Sequence, residues 1–438
     1  MSFQQGVSGL TASARNLEVI GNNVANASTV GAKVARAEFA DVYARAISGG
    51  ASSIGLGVSQ TAVTQQFSQG SFKSTDGPLD MAINGGGFFQ LKDLSGNSQY
   101  TRNGQFKVDK DGFIVNNSQQ KLMGYAADGT GQIQPGLAVP LQLPTAGISP
   151  KQTSSISMEL NLDSTKPITL PATVPPNIDF ENADTYNNAT SLTVYDGKGQ
   201  PVALTFYYQR ATTFSEVDGT VDTWNVYVTA NGTALAGTND APEATSTITF
   251  SRDGSVATDP TLPIDLPIPE SVNADGVKTL AIPDPTSATA AEETIKLDLT
   301  QITQFGSPFG VTDLQQDGYS AGQLVSIAVE TNGIVTARYS NGQTKSAGQV
   351  EIATFRNMQG LQPIGNNMWS RTFASGEPIT GVPGEGNLGV LQAGALEESN
   401  VDLTGELVSM FTAQRVYQAN AQTIKTQDQV LQTLVNLR

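Results

Sequence analysis

Acidic side chains are the residues of this sequence with the most potential for catalysis or metal binding. The 438-residue chain contains neither Cys nor His. This excludes thiol nucleophiles, disulfides, Cys/His zinc sites and Ser-His-Asp triads. Two close acidic pairs remain, Asp109/Asp111 and Glu292/Glu293. The first flanks a predicted turn and the second precedes a predicted strand, which is typical of solvated charges rather than of a glycosidase pair.

Two further motifs are weak signals of ligand binding. The run Asp109-Lys110-Asp111-Gly112 resembles a fragment of a calcium loop, but the later ligands are missing. Gly85-Gly86-Gly87 is followed by neither a Lys-Ser/Thr pair nor a helical pattern, so it predicts a tight turn into a strand rather than a phosphate loop. We therefore expect no enzymatic activity, no metal ion and no cofactor.

The net charge of −16 is concentrated in the middle of the chain. Residues 163–330 hold 22 acidic and 6 basic side chains, whereas the remainder holds 18 of each. An acidic chain without basic clusters is not expected to bind nucleic acid or an anionic membrane. Neutral ends and a charged middle are typical of a polymer whose ends pack together while its middle faces solvent, or of an acidic domain that is simply soluble.

Neither a signal peptide nor a membrane span is predicted. The first residues, Met1 to Gln5, have no basic start and no apolar run of signal-peptide length. No window approaches 18 uncharged apolar residues.

A long amphipathic helix is predicted at the end of the chain, within residues 395–438. Stepping alternately by four and three residues selects a mostly apolar stripe, typical of a coiled-coil-like seam: Leu403, Leu407, Met410, Gln414, Tyr417, Ala421, Ile424, Asp428, Leu431 and Val435. Ser399 with Asp402 predicts a capping box at its start. The other faces are rich in amides and poor in charge, which suits packing against copies of itself or lining a wet channel.

The beginning of the chain shows the same pattern over residues 1–30, at Phe3, Val7, Leu10, Ala14, Leu17, Gly21 and Val24. Two amphipathic helices at opposite ends are expected to pair, either as a small hairpin inside a monomer or as an assembly module. Asn22, Asn23 and Asn26 are poor interior helix residues, so they either fray the helix end or bond to a neighbouring subunit. Gly31 is expected to end the helix or to allow a turn.

Short strands separated by turn residues fill the region between the helices. Hairpin signals include Asn231-Gly232, and Asn332-Gly333 and Asn341-Gly342 are predicted as type I′ turns. The fold class is therefore multidomain α+β: paired, coiled-coil-like terminal helices with nested, mainly antiparallel β domains of sandwich or barrel type. The predicted segments are a helix at 1–30, a linker at 31–75, half of a β domain at 76–145, an inserted outer acidic β domain at 146–318, the second half at 319–394 and a helix at 395–438.

Each end of the chain carries a signature motif. The amino-terminal motif consists of Ser8-Gly9-Leu10, Leu17 and residues 22–33, including Asn22, Asn23, Asn26, Thr29 and Gly31. The carboxy-terminal motif consists of residues 398–403, 414–421 and 425–428, including Ser399, Asn400, Asp402, Gln414, Arg415, Tyr417 and Asn420. Together the two motifs resemble those of the bacterial flagellar rod and hook protein family. The family usually has an aromatic residue where Ala32 stands and often Ser where Glu398 stands. The resemblance covers about residues 1–145 and 319–438.

Within that family, the length, the large insert and the ending Leu431 to Arg438 are most similar to hook proteins. This resemblance implies a structural subunit that assembles into a flexible helical tube, a universal joint that transmits motor torque and encloses the export channel. It implies an extracellular location in the flagellum, reached through type III export without a cleaved signal peptide. The implied partners are other copies of itself, the distal rod protein, the hook cap, the hook–filament junction proteins, the hook-length control protein and the export apparatus.

Two alternatives remain open at this point. One is the distal rod protein of the same family. The other is an unrelated β-rich secreted protein, such as an adhesin or a phage-tail component, although an adhesin would be expected to carry a cleavable signal or an anchor. If the chain polymerises, the residues expected to pack between subunits are Val7, Leu10, Leu17, Val24, Leu403, Leu407, Met410, Tyr417, Ile424, Leu431 and Val435.

Overall fold

A computed structural model describes residues 2–42, 57–134, 136–169, 178–213, 221–257, 263–282 and 294–436. The chain divides into two compact units. The terminal unit comprises Met1–Thr145, Val325–Arg338 and Thr344–Arg438, and the central unit comprises Ala146–Leu324 and Tyr339–Gln343. The finer division into six segments predicted above remains a proposal.

The terminal unit contains both predicted helices. Helix α1 spans Ser2–Ala25 and helix α2 spans Leu403–Asn436. At about 1.5 Å per residue, the 34 residues of α2 extend roughly 50 Å. Helix α1 ends at Ala25, five residues before the predicted limit of residue 30. Gly31, just after that limit, has a φ of +71°, a conformation that suits glycine. Within the described residues, neither helix is long and apolar enough to cross a membrane.

A two-stranded antiparallel ribbon follows α1. It is formed by β1 (Ala35–Val42) and β2 (Gly57–Gln65), with an irregularity in register between Glu38 and Phe39. Its second strand lies against α1, because the backbone N–H of Val58 donates to Ser8 Oγ at 3.3 Å.

The remaining strands come in three groups along the chain. The first group belongs to the terminal unit: β3 (Phe72–Ser74), β4 (Met81–Asn84), β5 (Phe88–Lys92), β6 (Ser98–Thr101), β7 (Lys107–Val108), β8 (Ile114–Val115), β9 (Lys121–Ala126) and β10 (Val139–Pro140). The second group lies in the central unit: β11 (Ser155–Asp163), β12 (Asn188–Tyr195), β13 (Pro201–Thr212), β14 (Asp222–Ala230), β15 (Thr233–Ala234), β16 (Gly237–Thr238), β17 (Ala241–Pro242), β18 (Ser246–Phe250), β19 (Ile264–Leu266), β20 (Ser271–Val272), β21 (Lys278–Thr279), β22 (Ile295–Asp298), β23 (Thr303–Phe305) and β24 (Gly310–Gln316). The third group returns to the terminal unit: β25 (Leu324–Val329), β26 (Ile334–Tyr339), β27 (Thr344–Val350), β28 (Ile352–Thr354), β29 (Gln362–Gly365), β30 (Met368–Ser370), β31 (Ile379–Gly381), β32 (Val390–Ala393) and β33 (Ala395–Glu397).

The terminal unit is built on one large sheet. Its main path runs β25-β26-β27-β9-β5-β6-β30-β29. Strands that precede the central unit in the sequence therefore alternate in this sheet with strands that follow it. Strand β5 is central and buried, and its adjacent residues point to opposite faces. Phe89 belongs to the larger apolar core, whereas Phe88 packs edge to face with Trp369 in a separate aromatic cluster.

The central unit contains two five-stranded sheets around one apolar core. One sheet runs β19-β22-β11-β23 with β24 also paired to β11, and the other runs β12-β13-β14-β15 with β18 paired to β14. Both contribute buried side chains to the same cluster, including Leu160 from β11 and Trp224 from β14. The arrangement fits the predicted α+β class with mainly antiparallel β domains. Strand β11 departs from that pattern, because it is parallel to β22 and β23.

The two predicted type I′ turns are wrong. Gly333 and Gly342 have φ values of +84° and +80°, but Asn332 and Asn341 are not among the non-glycine residues with positive φ. In the first of these turns Gly333 N–H donates to Glu330 O while Glu330 N–H donates to Ile334 O, which is the three-residue loop of a type I turn with a glycine bulge. A true type I′ pair occurs at Asn231-Gly232, where φ is +49° and +83°.

Candidate functional site

The two terminal helices pair within the chain through unusually small residues. A Cβ atom added at Gly6 of α1 would lie 3.1 Å from Ile424 Cγ1 of α2. One added at Gly9 would lie 3.0 Å from the Asn420 amide, whose Nδ2 also lies 3.5 Å from Ser13 Oγ. Glycine and serine therefore allow the two backbones to approach closely.

This seam differs from the predicted apolar stripe. Among the described side chains, the buried positions of α1 are Gly6, Ser13, Ile20 and Asn23, and the buried position of α2 is Ala413. The stripe is only partly buried within one chain: Val7, Leu403, Leu407, Tyr417 and Leu431 are exposed, and Leu10, Leu17, Val24, Met410 and Ile424 are half-buried. The side chain of Val435 lies outside the described part of the structure. Ile424 and Asn420 reach the seam because Gly6 and Gly9 leave room for them, and much of the surface of the other large side chains stays uncovered.

Helix α2 consequently presents apolar side chains to its surroundings. Its exposed apolar residues include Leu403, Leu407, Val408, Phe411, Val416, Tyr417, Val430 and Leu431, with Phe411 63% and Leu431 53% exposed. Its 34 residues contain only four charged side chains, Glu406, Arg415, Lys425 and Asp428. A helix with so few charges and so many exposed apolar groups is typical of a surface that another protein covers.

The amino-terminal signature residues bond within the chain. Asn23 is 3% exposed; its Nδ2 donates to Ala35 O at 2.8 Å and its Oδ1 accepts from Ala35 N–H at 2.9 Å. Asn26 Nδ2 donates to Asn22 O at 3.0 Å, and Asn26 O accepts from Thr29 N–H. These bonds turn the chain from α1 into β1. The buried amide of Asn23 therefore bonds inside the subunit, which favours a structural role for this residue over a bond to a neighbour.

Gly31 is required by two separate constraints. Its φ is +71°, and a Cβ atom added there would lie 2.7 Å from Asn103 N. Its N–H donates to Glu397 O at 2.8 Å, which joins the first signature to the second.

The carboxy-terminal signature makes matching contacts. Asn400 Oδ1 accepts from Val34 N–H at 2.8 Å, and its Nδ2 donates to Gln66 O at 2.9 Å. The predicted capping box is wrong, because Asp402 itself caps α2 by accepting from Thr404 N–H at 3.0 Å. Ser399 Oγ instead accepts from Val401 N–H at 3.3 Å. Gln414 and Arg415 are exposed on α2.

A buried ion triad links the two ends to the β domain, and sequence reasoning missed it. Glu397 is fully buried; its Oε1 lies 2.6 Å from Lys33 Nζ and its Oε2 lies 3.0 Å from Arg102 Nη1. Lys33 closes the first signature and Glu397 precedes the second. These positions indicated that Lys33 and Glu397 could meet if the two signatures do, but nothing in the sequence identified Arg102 as the third member of the triad.

The triad carries a net charge of +1, which backbone acceptors help to stabilise. Lys33 Nζ also donates to Ser68 O at 2.7 Å, and Arg102 Nη2 donates to Gly85 O at 2.8 Å. Burial lowers the pKa of Lys33 from its usual value, because desolvation outweighs the attraction of Glu397. Burial likewise lowers the pKa of Arg102. The single carboxylate therefore holds two desolvated cations.

Of the two acidic pairs, the structure describes Asp109/Asp111, which belongs to a turn. Asp109 Oδ1 accepts the backbone N–H groups of Asp111 and Phe113, as a turn residue does. Glu292 and Glu293 lie outside the described residues. Across the described ranges, no group of three or more acidic side chains is arranged to hold a metal ion.

Four family models match the chain. "Flagella basal body rod protein" matches residues 3–33 and "Flagellar basal body rod FlgEFG protein C-terminal" matches residues 392–437. "Flagellar hook protein FlgE/F/G D1 domain" matches residues 82–200, and "Flagellar basal body protein FlaE D2 domain" matches residues 161–319. The first two contain the paired helices and their signatures.

Similar proteins over the whole length are hook proteins. The chain is 40% identical over 442 residues to the flagellar hook protein FlgE of Salmonella typhimurium, covering 100% of both chains. It is 39% identical over 440 residues to that of Escherichia coli, again covering 100% of both. It is 30% identical over 478 residues to that of Treponema pallidum, covering 100% of this chain and 99% of the other.

A solved structure shares the fold. The crystal structure of the Helicobacter pylori flagellar hook protein FlgE2 matches with a TM-score of 0.51 at 16% identity, covering 73% of this chain and 99% of that one. The full-length identities, together with the matched helical ends and β domains, show that the chain belongs to the flagellar hook protein family.

Proposed function

We propose that this hook subunit polymerises through its paired terminal helices into a flexible helical tube that transmits motor torque and encloses the export channel. The observation that carries the proposal is the exposed apolar surface of α2. Identical subunits joined by a contact between two different surfaces form a helical fibre whenever the rotation does not close into a ring. The exposed leucines, valines and Phe411 are the groups that neighbouring copies bury.

The polarity of α2 supports an inner position in the tube. Its amide-bearing residues, including Gln418, Gln422 and Gln429, are exposed and uncharged. Such a surface hydrates a channel without attracting or repelling a charged passenger chain strongly. The apolar residues pack against neighbours, and the amides face the channel.

The acidic central unit supports an outer position. Residues 163–330 hold all of the excess negative charge, and charged surfaces remain hydrated. A hook that bends as it rotates needs outer contacts that slide. Weak, hydrated contacts between acidic surfaces allow neighbouring subunits to slide more easily than a tight apolar interface does.

Export and assembly partners follow from membership of the family. We infer that the subunit leaves the cell through the flagellar type III export apparatus without a cleaved signal peptide. The tube that it builds would stand on the distal rod protein, grow beneath the hook cap, end at the junction proteins and have its length set by the hook-length control protein.

Electron microscopy of the concentrated, purified protein tests the proposal. We expect short curved tubes from the intact chain and none from a variant that lacks residues 2–25 and 403–438. Straight, rigid tubes would favour a rod subunit. Equal assembly by the truncated variant would contradict the role of the helices.

A further inference from the structure

A cavity in the terminal unit lies away from the helix pair. It has a volume of about 740 Å³ and is lined by strands and turns of the large sheet, with polar groups contributed by Gln90, Tyr100, Glu351, Arg371 and Glu377. Nothing in the assembly role proposed above uses these residues.

Glu351 is the unusual member of this lining. Its residue is 4% exposed, and its Oε1 accepts from Tyr125 Oη at 3.2 Å. Its Oε2 has no hydrogen-bond partner among the described residues, nor has the buried Oε1 of Gln90. Burial raises the pKa of Glu351, although the hydroxyls of Thr380 and Tyr125 oppose the shift; of the two, only the Tyr125 hydroxyl has the geometry of a hydrogen bond to the carboxylate. A buried carboxylate oxygen without a donor is costly unless a ligand supplies one.

The charges around the cavity favour a cation. Arg371 pairs with Glu377 at the exposed rim, which leaves the Glu351 carboxylate as the unbalanced charge of the lining. The Tyr100 hydroxyl stays neutral, because burial raises its pKa to about 12. The two unpartnered buried oxygens of these lining residues are acceptors, so the complementary ligand carries donors, as ammonium and guanidinium groups do.

We propose that this cavity is a socket for the Lys or Arg side chain of a second copy of the chain. The inference rests on the proposed function, since a polymer of identical subunits brings such side chains to every copy. The incoming cation donates to Glu351 Oε2 and Gln90 Oε1 and neutralises the buried carboxylate. A socket of this kind adds an orientation-specific contact outside the helical core of the tube.

The substitution Glu351→Gln separates this role from a structural one. The variant keeps the size of the side chain but removes its charge, so we expect its monomer to unfold at the same temperature as the wild type or higher. We expect its critical concentration for tube formation to rise at least tenfold. Glu377→Gln, which removes a rim carboxylate that already has a partner, serves as the matched control and should change the critical concentration less than threefold. Assembly of Glu351→Gln at the wild-type critical concentration would overturn the proposal.

A second arm uses free cations as probes. Methylguanidinium chloride and ethylammonium chloride should bind the wild-type monomer in calorimetry, with at least tenfold weaker binding to Glu351→Gln, and should raise the critical concentration of the wild type. Tetramethylammonium chloride has the charge but no donor, so it controls for ionic strength. If the probes bind the wild-type monomer but Glu351→Gln does not change assembly, the cavity binds small amines and the proposed contact between two copies is wrong. If the wild type forms no tubes, the proposed function is wrong. If the wild-type and Glu351→Gln monomers also bind the probe cations equally, the proposed cation socket is wrong too.

Discussion

Lys33 Nζ lies 2.6 Å from Glu397 Oε1, although the two residues are 364 positions apart in the sequence. Both side chains are fully buried. Gly31 N–H bonds to Glu397 O and Val34 N–H bonds to Asn400 Oδ1 beside them, so the start and end signatures form one locked junction. The junction fixes the point from which the helix pair leaves the β domain.

Glu397→Gln should strongly destabilise the terminal unit. The change leaves Lys33 and Arg102 buried without their shared carboxylate, and breaking a buried ion pair in this way costs about 3–5 kcal/mol. Urea unfolding of the monomer at pH 7 measures the loss. Glu398→Gln is the matched control, since Glu398 is exposed and accepts from Ser71 Oγ; it should cost under about 1 kcal/mol. Equal effects of the two changes would contradict the role of the triad.

The defect of Glu397→Gln should shrink as the pH rises from 7 towards 10. Folding lowers the pKa of Lys33 below its usual 10.5, so the unfolded chain holds more protons in that window and stability rises with pH. Removing Glu397 removes two interactions that raise this pKa, so the lysine of the variant loses its proton more readily. The free-energy difference between variant and wild type is measured at pH 7, 8.5 and 10. In a Lys33→Met background the difference should no longer depend on pH, and a difference that grew with pH would refute the assignment.

Asp317→Asn should destabilise the central unit only above acidic pH. Burial alone would raise the pKa of Asp317, but hydrogen bonds from Lys151, Ser154 and Ser155 together hold it below its usual 3.8. The stabilisation by the carboxylate is therefore present above pH 3.8 and is lost as the pH falls below it. We expect a loss of about 1–2 kcal/mol at pH 7, allowing for solvent screening, and a smaller one at pH 3.

Denaturant unfolding of the protein at pH 7 and pH 3, followed through the tryptophan of each unit, tests this expectation. Trp224 lies in the core of the central unit and Trp369 in the terminal unit, so Trp369→Phe isolates the central signal. Asp313→Asn on β24 is the control, because Asp313 is exposed. A loss from Asp317→Asn that is identical at pH 7 and pH 3 would show that the carboxylate is not responsible.

The helices and the seam between them differ in how far sequence can predict them. The four-three periodicity from Leu403 is a local signal, and α2 was predicted from it. The seam depends on Gly6, Ser13 and Ala413, which carry little hydrophobic signal, so the pattern selected the larger side chains instead. The difference between the predicted stripe and the observed seam also has a physical meaning. Residues that are apolar at helical spacing but exposed in one chain are available to pack against another chain.

The buried triad and the turns were harder to predict for different reasons. Lys33 and Glu397 lie at or beside the two terminal signatures, but Arg102 comes from a third, distant segment that nothing in one sequence connects to them. The Asn-Gly dipeptides at 332 and 341 fit two hairpin geometries, and only the strand register that follows selects the type I turn with a bulge. The motif Asn231-Gly232 adopts the other geometry, so the dipeptide alone does not decide.

Replacing both Leu407 and Leu431 by Asp should abolish tube formation while the monomer remains folded. Both side chains are exposed on α2 in the single chain, so the change costs little within one subunit. Burying two carboxylates between copies is prohibitive without partners. Electron microscopy reports assembly and circular dichroism reports folding. The double change Gln418→Asp and Gln429→Asp adds the same charge to exposed amide positions and should leave assembly intact; tubes from the leucine variant would contradict the proposed packing surface.

A pair of engineered cysteines distinguishes pairing within a chain from pairing between copies. The natural sequence has no Cys, so Ser13→Cys with Asn420→Cys creates a unique pair where Ser13 Oγ and Asn420 Nδ2 lie 3.5 Å apart. We expect oxidation of the dilute monomer to give an intramolecular disulfide, seen as faster migration on a non-reducing gel. Ser13→Cys with Gln418→Cys is the control, because residue 418 is exposed on α2. If the first pair gave only dimers, α1 and α2 would meet between copies, and the small-residue seam of Gly6, Gly9 and Ser13 would be a contact of the tube rather than of the subunit.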